Sequence, residues 1–287
     1  MATLKSTKNK GDEQMVGQAD YAIIGGTGVY DSALLEDPKT ITINTEFGPS
    51  VATIGEYKGK KVAFMPRHGA SHSIPPHRIN YRANIWALKE LGVSQVLASA
   101  AVGSLKREYE PGSLVIVDDF LDFTKSRATT FFEASTVIHV DVTDPYCSRL
   151  RREIALGGAE LGIANIHDGG TYVCTEGPRF ESPAEIRMYE ALGAHVVGMT
   201  SIPEVVLAKE AELCYATVCM VTNYAAGISD TPLTHEEVVH EMNKNVHRIR
   251  DLFFHTILRS TGQRECRCKT AVGGQTPLSR NQGGNDV

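Results

Sequence analysis

Short apolar runs alternate along this chain with longer stretches whose apolar positions recur every three or four residues. The runs read as buried strands and the stretches as amphipathic helices. Strands are predicted at 21–24, 61–65, 95–101, 113–118, 171–174, 195–199 and 216–222. Helices are predicted at 81–91, 145–161, 183–192, 203–214 and 235–258. Ser182 with Glu185, Ser201 with Glu204, and Thr234 with Glu237 each have the spacing of a capping box, with proline close behind in the first two. Strands alternating with helices indicate an α/β fold.

A chain of 287 residues with 42% hydrophobic content can bury one large core. No linker-like stretch interrupts residues 20–260, so residues 20–262 are expected to form a single domain. The polar segment 1–19 reads as a disordered extension. Residues 263–287, which contain the Cys266-Arg267-Cys268 pair, read as a flexible tail. Acidic residues number 34 and basic ones 29, a balance that argues against a nucleic-acid surface. No apolar run approaches the roughly 18–20 residues that span a bilayer, and the N-terminal segment has no apolar stretch. The expectation is a cytosolic protein whose partners are small molecules, with neither membrane nor nucleic acid among them. Six cysteines include no CxxC pair, which speaks against a zinc ribbon. Two cysteines one residue apart near a terminus are unlike core residues. Some of the thiols are therefore expected to be oxidised, as in intracellular proteins of hyperthermophiles.

Candidate chemistry gathers where predicted strands end, the edge at which α/β sheets bind ligands. Residues 23–31 read IIGGTGVYD. The glycines open the backbone to an anion, and the Thr27 hydroxyl adds a donor. The third glycine of a dinucleotide fingerprint is missing, and no GK[ST] follows. Arg67 and His68 come directly after the strand at 61–65, presenting a planar fork suited to phosphate oxygens. Ala100 and Ala101 leave backbone N–H groups uncovered in SAAVGSL, and Thr200 ends a strand just before a helix begins. Read singly, each segment has an ordinary structural explanation; their combination points to a site for inorganic phosphate.

The order and spacing of IIGGTG, RHGASH, YRANIWALKELGV, SAAVGSL, PGSLVIVDDFLD, TEGPRFES, GMTSIPEVVLAKEAELCYA and VTNYAAG resemble the trimeric purine nucleoside phosphorylase and methylthioadenosine phosphorylase family over residues 20–258. The resemblance implies an α/β fold with a mixed, partly barrel-like central sheet flanked by helices. It also implies assembly as a homotrimer or a dimer of trimers. By the same resemblance, Thr27, Arg67, His68, Ala100, Ala101 and Thr200 hold phosphate, Phe180 and Met199 flank base and ribose, and Tyr81 lies nearby. Asn223, Tyr224 and Ala225 stand where adenine-selective relatives carry DYD. An asparagine amide donates to N7 and O6 of a 6-oxopurine, whereas an aspartate pairs with a 6-amino group. Glu181 stands where those relatives carry serine, and its carboxylate can accept from N1–H. His235, in THEEV, occupies the position that meets the nucleoside 5′ group. The resemblance therefore implies phosphorolysis of inosine and guanosine with Asn223 as the catalytic group. No metal or organic cofactor is required, because phosphate is itself the nucleophile. Alternatives are a 5′-methylthioinosine or 5′-methylthioadenosine phosphorylase and, more remotely, a histidine phosphatase or a non-catalytic purine-binding protein.

Overall fold

The computed structural model describes residues 18–26, 29, 32–69, 71, 73–133, 137–229 and 235–273, the side chains of residues 32 and 235–239 excepted. Among these residues, eleven strands form one mixed sheet: β1 (Tyr21–Gly25), β2 (Glu36–Thr45), β3 (Gly48–Tyr57), β4 (Lys60–Pro66), β5 (Gln95–Ser104), β6 (Leu114–Ile116), β7 (Asp119–Phe123), β8 (Ile166–Asp168), β9 (Thr171–Thr175), β10 (Val196–Gly198) and β11 (Cys214–Tyr224). The helices are α1 (Tyr81–Glu90), α2 (Ser148–Glu160), α3 (Pro183–Ala191), α4 (Ser201–Glu210) and α5 (His235–Arg259). No described helix is long and apolar enough to cross a membrane.

Helices cover both faces of the sheet, and the central strands are correspondingly apolar throughout. Successive residues of β1 show the division. Ala22 and Ile24 pack with Ile85 and Leu88 of α1 and Val205 and Leu207 of α4, while Tyr21 and Ile23 pack with Ile154 of α2 and Phe253 and Ile257 of α5. The expected capping box at α3 forms, with Ser182 Oγ accepting from the Glu185 N–H and the Glu185 carboxylate accepting from the Ser182 N–H. At α4 the same sequence pattern forms no box, since Ser201 and Glu204 turn to Tyr146 and Arg67. The Thr234–Glu237 box lies outside the described residues.

Strand β5 organises the site. β11 follows one of its edges from Gln95 to Ser104. The other edge is shared. β1 pairs with residues Gln95 to Ala98, and β10 pairs antiparallel with Gly103 and Ser104. Residues 99–102 therefore lie on an edge where one partner has ended and the next has not begun. Along β11 the register slips between Val221 and Asn223, and such a bulge redirects the side chains that follow it. Gly198, at the end of β10, must be glycine, since a Cβ there would overlap the Tyr172 hydroxyl.

The chain beyond 262 does not leave the domain at once. Arg264 Nη1 donates to Glu212 O at 2.6 Å, the Val272 N–H donates to the Glu212 carboxylate, and Cys268 and Val272 are buried. The segment expected to be flexible from residue 263 is packed as far as Val272, because Cys266 and Cys268 join the apolar cluster of α2, β11 and α5 and the chain on either side of them bonds Glu212.

Candidate active site

A cavity of about 450 Å3 opens beside the unpaired stretch of β5. Its walls come from the ends of β4, β5, β10 and β11, from the β9–α3 loop, and from α5, which contributes Met242, Asn243 and Ile249. Arg67, His68, Ala100, Ala101 and Thr200 gather with Gly26 and Ser99, while Phe180, Glu181, Met199, Asn223 and Ala225 complete the lining.

Arg67 is 3% exposed, and every bond it makes is charge-assisted or to backbone. Nε and Nη2 donate to the two carboxylate oxygens of Glu204 at 2.8 and 2.7 Å, and Nη1 donates to Ser99 O at 2.7 Å. Burial works against its charge, but the Glu204 carboxylate outweighs that and holds the guanidinium above its ordinary range. His68 stands next to it, its Nδ1 donating to Ile74 O at 2.8 Å, since a carbonyl can only accept. The Thr200 hydroxyl does not cap α4, although Thr200 precedes it, and the Thr200 N–H donates to Tyr172 Oη at 3.2 Å. Behind this wall the buried Arg127 donates to Ile202 O, Thr175 O and Glu176 O, tying β9 to the start of α4.

At the other end, Asn223 Nδ2 donates to Tyr224 O at 2.8 Å, and its Oδ1 accepts from Thr222 Oγ1 at 2.8 Å. Because Tyr224 O is an acceptor only, the amide nitrogen must face it, and one N–H of that nitrogen remains. Gly103 makes room for this amide, since a Cβ there would come within 3.1 Å of Asn223 Nδ2. Glu181 is half-buried and accepts from Thr175 Oγ1 at 2.6 Å. Burial raises its pKa above the ordinary carboxyl value, and the Thr175 hydrogen bond only partly counters that. Phe180 is 45% exposed at the rim.

Comparison with known proteins supplies the lineage of this arrangement. Residues 20–259 match the family model described as the phosphorylase superfamily. The chain belongs to that superfamily. It is 54% identical over 253 residues to a probable 6-oxopurine nucleoside phosphorylase of Dictyoglomus turgidum, covering 88% of this chain and 95% of that protein. It is 47% identical over 260 residues to an S-methyl-5′-thioadenosine phosphorylase of Nitrosopumilus maritimus, covering 90% and 98%. A solved methylthioadenosine phosphorylase from an Antarctic soil metagenomic library superimposes with a TM-score of 0.85 at 35% identity, covering 90% of this chain and 92% of the other.

Within this superfamily member, two of the residues singled out from sequence do not reach the cavity. The Tyr224 hydroxyl turns to Arg107 O at 3.1 Å, and Tyr81 is buried with its hydroxyl on Pro76 O. Tyr224 takes part through its carbonyl instead, by holding Asn223. Thr27 lies outside the described residues. His235 opens α5, but its side chain is likewise outside them. Glu204 was missed as a site residue because its spacing from Ser201 fits a capping box. Its side chain goes to Arg67, and Ser201 Oγ pairs with Tyr146 Oη at 2.6 Å. The available signal was an acid set among Ile202, Pro203, Val205 and Val206, since a carboxylate on an apolar face needs a buried partner.

Proposed function

We propose that this protein is a purine nucleoside phosphorylase that splits inosine and guanosine with inorganic phosphate, giving free base and ribose 1-phosphate. The observation that carries this reading is the polarity of one cavity. Donors suited to phosphate, on Arg67, Thr200 and the unpaired stretch of β5, line one part with His68 beside them, and the Asn223 amide with the Glu181 carboxylate lines another. The identity to a 6-oxopurine nucleoside phosphorylase supports the same substrate class.

The chemistry follows from where charge appears. As the glycosidic bond lengthens, the ribose turns oxocarbenium-like and the departing purine becomes anionic. The phosphate oxygen attacks C1′, its negative charge facing the sugar cation, and the bond pair leaves with the base. Asn223 has one N–H to offer the developing charge at N7 or O6, since Tyr224 O engages the other. Glu181 accepts from N1–H and, in guanosine, from the 2-amino group. Phosphate supplies the nucleophile and the protein supplies the donors, so neither metal nor organic cofactor enters.

A second reading, preference for 5′-methylthio nucleosides, draws on the apolar Met242 and Ile249 that α5 contributes to the cavity and on the methylthioadenosine phosphorylase relatives. A panel of inosine, guanosine, adenosine, 5′-methylthioinosine and 5′-methylthioadenosine, each with and without phosphate, separates the two. Best turnover of inosine and guanosine, dependent on phosphate, upholds the main reading with His235 at the 5′-hydroxyl. A wide advantage for the methylthio substrates transfers the enzyme to the second.

Two further features belong to this reading. Exposed apolar side chains on and after α3, Met188 and Leu192, fit a homo-oligomer, a trimer or a dimer of trimers. A monomer by light scattering would contradict it. Cys147, Cys214, Cys266 and Cys268 place their sulfurs within 4.8 Å of one another. Oxidation in pairs, each pair passing two electrons and two protons to a disulfide or dioxygen acceptor, would clasp the segment around residue 268 to α2 and β11. Reaction of all six thiols in denaturant without reductant would exclude it.

A further inference from the structure

Glu204 is wholly buried and forms no part of the cavity wall, yet it touches Arg67, the one arginine among the described residues that does. Its oxygens take Nε and Nη2 of Arg67, and Tyr215 Oη donates to Oε1 at 2.7 Å, itself accepting from Thr217 Oγ1 at 3.2 Å. Four elements thus converge behind the site: the end of β4 with Arg67, α4 with Glu204, β11 with Tyr215 and Thr217, and β5 with Ser99.

A guanidinium carries five N–H donors in one plane. Glu204 takes two and Ser99 O a third, which leaves one donor on each Nη. The carboxylate fixes one edge of the plane and the carbonyl fixes its far end, so the two remaining directions are fixed as well. The pair is electrically balanced, and phosphate is then held by aimed donors more than by net charge. Thr200 lies four positions before Glu204, so one stretch of chain carries a phosphate contact and the group that aims another.

Building on the phosphorolysis reading, we propose that Glu204 is a positioning residue that clamps Arg67 so that its two remaining N–H groups are presented to inorganic phosphate. A misplacement of about 1 Å can cost roughly 100-fold in rate, and the proposal gives this a specific signature. Glu204→Gln raises the phosphate KM about 10- to 100-fold while the inosine KM moves less than about threefold. In an Arg67→Ala background, assayed with enzyme in excess, the same substitution adds nothing, because its only route to phosphate has been removed. Should Glu204→Gln fail to fold, Tyr215→Phe keeps the ion pair and loosens the carboxylate, raising the phosphate KM about three- to tenfold. An unchanged phosphate KM in the folded variant, or an equal penalty in the Arg67→Ala background, overturns the proposal and marks Glu204 as structural. Base release by the wild type without phosphate overturns the underlying reading instead, so the two failures are told apart.

Discussion

The two ends of the cavity are built differently. At the end proposed to hold phosphate, Arg67 and Thr200 are buried, Arg67 follows a strand directly, and Glu204, itself held by Tyr215, grips Arg67 from behind. At the end proposed to hold the purine, Phe180 and Glu181 stand on a loop, Phe180 is exposed at the rim, and Asn223 is held by its neighbours Thr222 and Tyr224. The contrast separates two tasks. A donor set for an unchanging anion profits from rigid strand ends and prepaid desolvation. On the proposed function, selectivity among bases and 5′ groups rests on a few side chains at a loop and a strand bulge, where replacement disturbs little of the core.

That contrast can be broken from either side. The largest expected effect is at the rigid end: Arg67→Ala should lower kcat/KM for phosphate about 1,000-fold, with the inosine KM nearly unmoved, measured by varying each substrate separately. Next comes Asn223→Asp, which replaces the donor offered to N7 or O6 by an acceptor and sets it against Tyr224 O. Inosine kcat/KM should fall about 100-fold while adenosine gains relative to it; unchanged turnover and preference would defeat the account of base recognition. A smaller effect concerns pH. Because burial raises the Glu181 pKa, falling pH protonates it before an ordinary glutamate, and a protonated carboxyl no longer accepts equally from N1–H. The inosine KM should rise on the acid side, and Glu181→Gln should flatten that rise while weakening inosine about tenfold at neutral pH. The smallest effect is none at all: dialysis against a chelator should leave phosphorolysis unchanged.

Much of this was readable in the chain, for identifiable reasons. Buried strands β1, β4, β5, β9 and β11 announce themselves as apolar runs. β2 does not, because in EDPKTITINT only Ile43 is buried and the strand survives as an edge ladder with β3. β3, β7 and β8 are likewise short of fully buried runs. Motif residues at strand ends fell into one cavity because the sheet's directionality puts them there. What stayed hidden was tertiary: the Ser201–Glu204 spacing imitates a cap until Arg67 claims the acid, and Tyr224 acts through its carbonyl, which no side-chain pattern records.

The most direct test is to follow inosine cleavage by phosphorus NMR with limiting inorganic phosphate. The account predicts that each base released consumes one phosphate and yields one sugar 1-phosphate, and that omitting phosphate stops release. Base release without phosphate, or with free ribose as the product, would contradict it.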